Sequence, residues 1–288
     1  MVVENKYGFF ELEKKPTVTE LSEYYGKKYY QEEKLYSHTY SPEELEYTHN
    51  KITQKHFAFK ELLADNIQLK LLDIGCGEGF CLKHFKDLGW DVTGCDFSEF
   101  GLKTHNPDCI GNVLVGDIYE QLAALIKADR KFDVIWLDNI LEHVLEPLEL
   151  LGLCKQLSKE KGVLIIEVPN DFSRLQTHLY NNKIIDKQFW VAIPDHISYF
   201  NKAGLANICR EAGWQSLRFL SDFPIDFNLA NKEANYVMDR TKGKAAHQQR
   251  VLLDNLFHTI SIEDTNKLYE ALADLGMGRQ IIGIFSNI

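Results

Sequence analysis

Long apolar runs are missing from this sequence. No stretch is extended enough to span a bilayer, and the opening MVVENKYGFFELEKK has no basic region followed by an apolar run. A membrane-embedded or secreted protein is therefore not expected, and the chain is read as cytoplasmic. Paired cysteines are missing too. The six, Cys76, Cys81, Cys95, Cys109, Cys154 and Cys209, contain no C-x-x-C pair, and several sit in apolar runs where a thiol packs as a small hydrophobe. Disulfides and a structural zinc site are set aside. Positive charge is scarce as well. A formal net charge of -10 would repel a phosphate backbone, whose affinity for proteins comes largely from Lys and Arg. Nucleic acid and membrane are thus discounted as partners in favour of a small-molecule substrate. There are no internal repeats and no low-complexity segment.

What remains, in 288 residues, is enough chain for one sheet-based domain with added segments. Residues 1 to 65 are rich in Tyr, Glu and Lys, with apolar positions at helical spacing (Leu21, Tyr24, Tyr25; later Phe57, Phe59, Leu62, Leu63). They predict helices ahead of the core. From 69 onward short β-rich runs alternate with helical stretches, the pattern of a parallel sheet covered by helices. Strands are expected at 69–74, 91–95, 113–115, 132–137, 162–168 and 215–220, with a last one in RQIIGIFSNI. Helices are expected at 80–88, 148–157 and 202–212, and an irregular stretch from 169 to about 200. The division predicted is an N-terminal helical extension (1–65), a core (66–224 plus 277–288) and a helical insertion (225–276).

The sharpest motif is LLDIGCGEGF, where an apolar strand runs into Asp73, Gly75, Gly77 and Gly79 and then into a helix. Glycine lets the chain turn tightly and a ligand approach the backbone. The spacing is G-x-G-x-G. A dinucleotide fingerprint would need glycine where Phe80 stands, and no Lys-Ser or Lys-Thr pair follows the loop, so a P-loop is excluded. A nucleoside with an uncharged link fits better than a phosphate. The next strand ends in GCDFS, which puts Asp96 about 20 residues beyond the loop, where an acidic residue meets ribose hydroxyls in such folds. Capping the helix near Ser98 is the alternative role. In VGDIY, Asp117 follows a strand and can accept from an exocyclic amine while Ile118 packs on a purine; Asp is also common at helix starts.

Together LLDIGCGEGF, GCDFS, VGDIY, FDVIWLDNILEHVLEP and GVLIIEVPN resemble the successive motifs of class I S-adenosylmethionine (SAM) dependent methyltransferases, over residues 69 to 221 plus the last strand. The resemblance implies a Rossmann-like α/β fold, a seven-stranded, mostly parallel sheet with an antiparallel last strand. SAM would lie across the carboxyl ends of the first strands and leave as S-adenosyl-L-homocysteine. Its methionine end would lie near Asp73, Gly75 and Gly77, with Cys76 and Gly79 in the same loop. The ribose would meet Asp96, and the adenine would sit between Phe97 and Ile118 near Asp117. Asn139 and Leu141 would line the same pocket.

Methyl transfer needs in-line approach of the acceptor and, for a hydroxyl, removal of its proton. His143 in NILEHV and His196 in PDHISYF follow the fourth and fifth strands and are the candidate bases, alongside Glu142. The L-E-H, P-N and D-H segments are also similar to quinone O-methyltransferases and small-RNA 2'-O-methyltransferases that hold a divalent metal. Glu142, His143 and His196 match that ligand pattern, but Asn139 stands where a further carboxylate is expected, and the metal is ranked behind a metal-free reaction. Tyr24, Tyr25, Tyr29 and Tyr30 suit either a lid over cofactor and acceptor or a core-covering helix. The expected reaction is methylation of a hydroxyl on a sugar, nucleotide sugar or secondary metabolite by a monomer or homodimer. An amine acceptor, a SAM-binding regulatory protein without catalysis and a nicotinamide oxidoreductase are the rivals.

Overall fold

The structure is a computed structural model that describes residues 1–17, 19–21, 23–24, 38–63 and 68–287. Its centre is a seven-stranded sheet. Three strands, β3 (Lys70–Ile74), β6 (Phe132–Asp138) and the part of β7 (Ser158–Pro169) from Val163 onward, are almost continuously apolar because a parallel sheet is covered on both faces. Alternation within each strand divides the core in two. Leu72, Ile74, Ile135, Leu137, Leu164 and Ile166 face one layer of helices. Leu71, Val134, Trp136, Val163 and Ile165 face the other.

Flanking strands are β4 (Asp91–Asp96), β5 (Val113–Val115), β9 (Trp214–Ser221) and β10 (Gln280–Asn287), and the order is β5-β4-β3-β6-β7-β10-β9. The pairs among β3 to β7 are parallel, while β10 runs antiparallel to both β7 and β9. The chain leaves β3 toward β4 and β5, then returns to pair β6 on the other side of β3. That reversal opens a crevice at the carboxyl ends of β3 and β6, where ligands bind in open α/β sheets.

Helix α1 (Pro42–Phe59) precedes the sheet and starts at a capping box, with Ser41 accepting from the Glu44 N–H and Glu44 accepting from the Ser41 N–H. Helices α2 (Phe80–Asp87), α3 (Phe100–His105), α4 (Ile118–Lys127) and α5 (Pro147–Leu157) connect the strands in turn. Later come α6 (Arg174–Asn181), α7 (Lys202–Glu211), α8 (Gly243–Ile260) and α9 (Ile262–Leu275).

Three features depart from the sequence expectations. Residues 1 to 65 are not helical throughout: β1 (Val2–Glu4) pairs with β2 (Phe10–Leu12), and β2 in turn with β8 (Ser198–Tyr199), in a small antiparallel sheet. Strands of two or three residues leave no readable period, and the third strand of this sheet comes from a distant part of the chain. Phe9 seals the small sheet to the core by packing on Phe200 at 4.4 Å between ring centroids. The stretch after Pro169 is not wholly irregular, since a Ser173–Gln176 capping box starts α6. The segment from 225 reaches regular helix only at Gly243, after two short 3-10 turns.

Candidate functional site

The glycine loop leaves β3 with positive φ at Gly75, Gly77 and Gly79 (+75°, +50° and +78°). At Gly75 there is a second reason for glycine: a Cβ would lie 2.0 Å from Ile140 Cδ1, so the loop is pressed against the segment after β6. Asp96, at the end of β4, ties the loop to its neighbour. Its Oδ2 accepts from the Gly77 N–H at 2.8 Å and its Oδ1 from the Ser98 N–H at 3.0 Å. The ring of Phe97 beside it is 53% exposed, and Ile118 is half-buried. Asp117 caps α4 by accepting from the Tyr119 and Glu120 N–H groups, so the helix-start role foreseen for it is real.

A cavity of about 270 Å³ lies between this loop and α1, lined by Asp73, Gly75, Cys76 and Gly79 on one side and Tyr47, Lys51 and Lys55 on the other. Asp73 is 3% exposed, and its Oδ2 has no hydrogen-bond partner among the described residues. Burial, reinforced by the charges of Asp138 and Asp96, pushes its carboxyl well above the usual range. A bound ammonium group would supply the missing donor. The positive-φ cradle and this orphaned acceptor both fit the amino-acid end of a SAM-like ligand.

Lys55 was not anticipated as a site residue. Its ammonium is buried on the cavity floor between Asp138 at the end of β6 and Glu167 in β7, 5.0 Å from the Trp136 ring centroid. Burial would lower its pKa, but the two carboxylates outweigh that and raise it. Burial likewise works to raise Glu167, yet Lys55 and Lys51 hold it below the usual range. Burial raises Asp138, and Lys55 only partly offsets the effect. Lys51 and Lys55 share the buried face of α1 with Ile52, Gln54, Ala58 and Phe59, and lysines at i, i+4 beside those apolar positions were the available signal.

On the other side of β6 and β7 the structure brings Glu142, His143 and His196 together: one ligating atom from each lies within 4.8 Å of the others. The Glu142 carbonyl accepts from both the Ile197 and Ser198 N–H groups, at 2.8 and 3.1 Å, and so joins the two segments. The imidazoles are 4.9 Å apart, edge to face. His143 Nδ1 lies 2.7 Å from the Asp195 carbonyl, which can only accept, so Nδ1 carries the proton and Nε2 turns toward Glu142 Oε1 at 3.8 Å. Glu142 is 1% exposed with Oε2 unpartnered among the described residues, and burial, followed by the charges of Asp171, Glu167 and Asp138, raises its carboxyl well above the usual range. One carboxylate and two imidazoles, with an orphaned acceptor among them, are a donor set that fits a divalent cation.

Other candidates fall elsewhere. Leu141 is fully buried in the core, while its neighbour Ile140 meets the glycine loop. Asn139 is exposed, with a positive φ of 53° and its N–H bonded to the Glu167 carbonyl at 2.9 Å. Tyr25, Tyr29 and Tyr30 lie outside the described residues, and Tyr24 is half-buried. Among the described residues, Tyr40 meets the glycine loop: its hydroxyl donates to Glu78 Oε2 at 2.7 Å and its ring packs on Phe80 at 5.7 Å.

Strand order, glycine loop and terminal Asp96 together define a class I methyltransferase architecture. Comparison with known proteins agrees: a methyltransferase domain family matches residues 43–218, and the chain belongs to that family. A ubiquinone biosynthesis O-methyltransferase of Glaesserella parasuis serovar 5 is 36% identical over 109 residues, covering 35% of this chain and 45% of that protein. One of Aromatoleum aromaticum is 27% identical over 154 residues, covering 52% and 66%. The chain thus spans about half the length of the curated relatives it matches. A crystal structure of a SAM-dependent methyltransferase from Archaeoglobus fulgidus has the same fold, with a TM-score of 0.50 at 20% identity over 90% of this chain and 99% of that one.

Proposed function

We propose that this chain transfers a methyl group from SAM to a hydroxyl of a small molecule. The observation that carries the reading is the cluster of Glu142, His143 and His196 near the carboxyl ends of β6 and β7, on the acceptor side of the proposed cofactor cleft. A neutral amine acceptor needs no such assembly, since its lone pair attacks without prior loss of a proton. Names among the relatives support the hydroxyl: ubiquinone biosynthesis O-methyltransferases are O-methylating by description. Within that class, the sugar, nucleotide sugar or secondary metabolite read from the sequence and a phenolic hydroxyl are the acceptors to compare.

In this reading Asp73 and the loop residues Gly75, Cys76, Gly77 and Gly79 receive the methionine end of SAM. Asp96 takes the ribose hydroxyls, Phe97 and Ile118 bracket the adenine beside Asp117, and Asn139 stands at the rim. Glu142, His143 and His196 would hold a divalent cation, and their two nitrogen donors suit zinc better than magnesium. When bound, such an ion orients an acceptor hydroxyl and lowers its pKa. The glycine loop aligns the donor, and the two histidine segments place the acceptor in line with it.

The test is turnover with SAM on matched phenol, sugar and amine acceptors, before and after dialysis against chelator, with His143→Ala and His196→Ala alongside. The reading predicts an O-methylated product, activity restored by added zinc, and a loss of about 10²- to 10⁴-fold in each variant. N-methylation that both variants perform at the wild-type rate would overturn it.

A further inference from the structure

Next to the cluster lies a carboxylate that no motif singles out. Asp171 follows the Pro169–Asn170 step at the end of β7; it is 1% exposed, and neither of its oxygens has a hydrogen-bond partner among the described residues. Its Oδ2 faces His196 Nδ1 at 3.9 Å, and that nitrogen is also buried and without a hydrogen-bond partner among the described residues. Its Oδ1 faces Arg279 Nη1 at 3.9 Å. The backbones of both residues are fixed: the Asp171 N–H donates to the Phe200 carbonyl at 2.9 Å, and Tyr199 Oη donates to the His196 carbonyl at 3.0 Å. Two buried polar groups that each lack a partner therefore face each other, and a small side-chain shift or one bridging water would satisfy both.

His143 supplies the pattern. Its Nδ1 edge is held by the Asp195 carbonyl while Nε2 turns toward Glu142. A histidine that ligates or accepts a proton through one nitrogen is oriented by what holds the other, and a carboxylate in that place fixes both tautomer and ring orientation.

We propose that Asp171 is a positioning residue that holds His196 through Nδ1, so that Nε2 faces Glu142 and His143. The purpose assigned to that orientation rests on the hydroxyl-methylation reading; the orientation itself does not. Asp171 thereby provides a carboxylate near the site where Asn139 offers none, from β7 instead of from the segment after β6.

The experiment is nitrogen-15 imidazole NMR of the full chain at neutral pH, with the His196 signals assigned by their loss in His196→Gln. In the wild type the proton is expected on Nδ1. In Asp171→Ala it should redistribute between the nitrogens, while Asp171→Asn, whose amide oxygen still accepts, should keep the wild-type pattern and serves as a second variant should the alanine protein not fold. Zinc titration by calorimetry runs in parallel, with an expected fall in affinity of about 10- to 100-fold in Asp171→Ala and SAM affinity kept within about twofold. A wild-type His196 protonated on Nε2, or a tautomer pattern identical in wild type and Asp171→Ala, would overturn the proposal. If the wild type binds no zinc, the cation reading of the site falls, and the tautomer result still decides the role of Asp171.

Discussion

Replacing Gly75 with alanine should damage the loop in two separable ways. At φ +75° an L-residue bears a strain of about 1–2 kcal/mol. The new methyl group would also sit 2.0 Å from Ile140 Cδ1 and 2.5 Å from Cγ1, so that side chain must leave its rotamer, an overpacking cost of about 1–3 kcal/mol. The sum, about 2–5 kcal/mol, would be read by urea unfolding at fixed pH. Truncating the obstacle isolates the second part: in Gly75→Ala/Ile140→Ala the steric cost vanishes and the strain stays. The double-mutant cycle should therefore return a coupling of about 1–3 kcal/mol, with the double variant more stable than the sum of the singles predicts. Additive effects, or a Gly75→Ala protein within about 0.5 kcal/mol of wild type, would refute the claim that the loop is pressed against the segment after β6.

Two further outcomes follow from buried charge. Lys55→Met should cost about 3–5 kcal/mol at pH 7, because it leaves Asp138 and Glu167 buried together without a cation. In the wild type Glu167 is held below its unfolded value of 4.5, so its stabilisation is present above that pH and lost as pH falls through the lower folded value. The gap between variant and wild type should accordingly narrow below pH 4.5, and thermal melts at pH 7 and about pH 3 that show a constant gap would contradict the triad. His84, between α1 and α2, is pushed down to about 4 by burial and then by His49 and His56. The neutral ring is thus favoured in the fold, and stability present above 6.5 should be lost as pH falls from there toward 4. Solvent screening of this partly buried ring limits the effect to about 1 kcal/mol, and His84→Gln should flatten the melting temperature against pH; unchanged profiles would argue against it.

The sheet was legible because its central strands are apolar on both faces, a signal that LLDI, FDVIWLD and GVLIIEVP carry without help from the rest of the fold. Strand bounds shifted by at most one residue except in β7, where Ser158 to Lys161 extend the strand although their composition is polar. β1 and β2 were not legible, since each is only three residues long and the sheet they form is completed by β8, nearly 200 residues away, with Phe9 meeting Phe200. Within the site, Asp96 and the glycines could be read from spacing, and Glu142, His143 and His196 from chemistry on successive segments. Lys55 and Asp171 could not be read in the same way. Their roles come from charges that meet across elements: α1 over the ends of β6 and β7, and the turn after β7 against the segment before β8.

The central claim is that the crevice at β3 and β6 binds SAM through the glycine loop and Asp96. Calorimetric titration of the full chain with SAM, S-adenosyl-L-homocysteine and NADH, on wild type and Asp96→Ala, tests it directly. The account predicts saturable binding of the first two, none of NADH, and at least about a tenfold loss in Asp96→Ala, the scale of one charge-assisted hydrogen bond. Binding of NADH in place of SAM, or SAM affinity unchanged in Asp96→Ala, would contradict it.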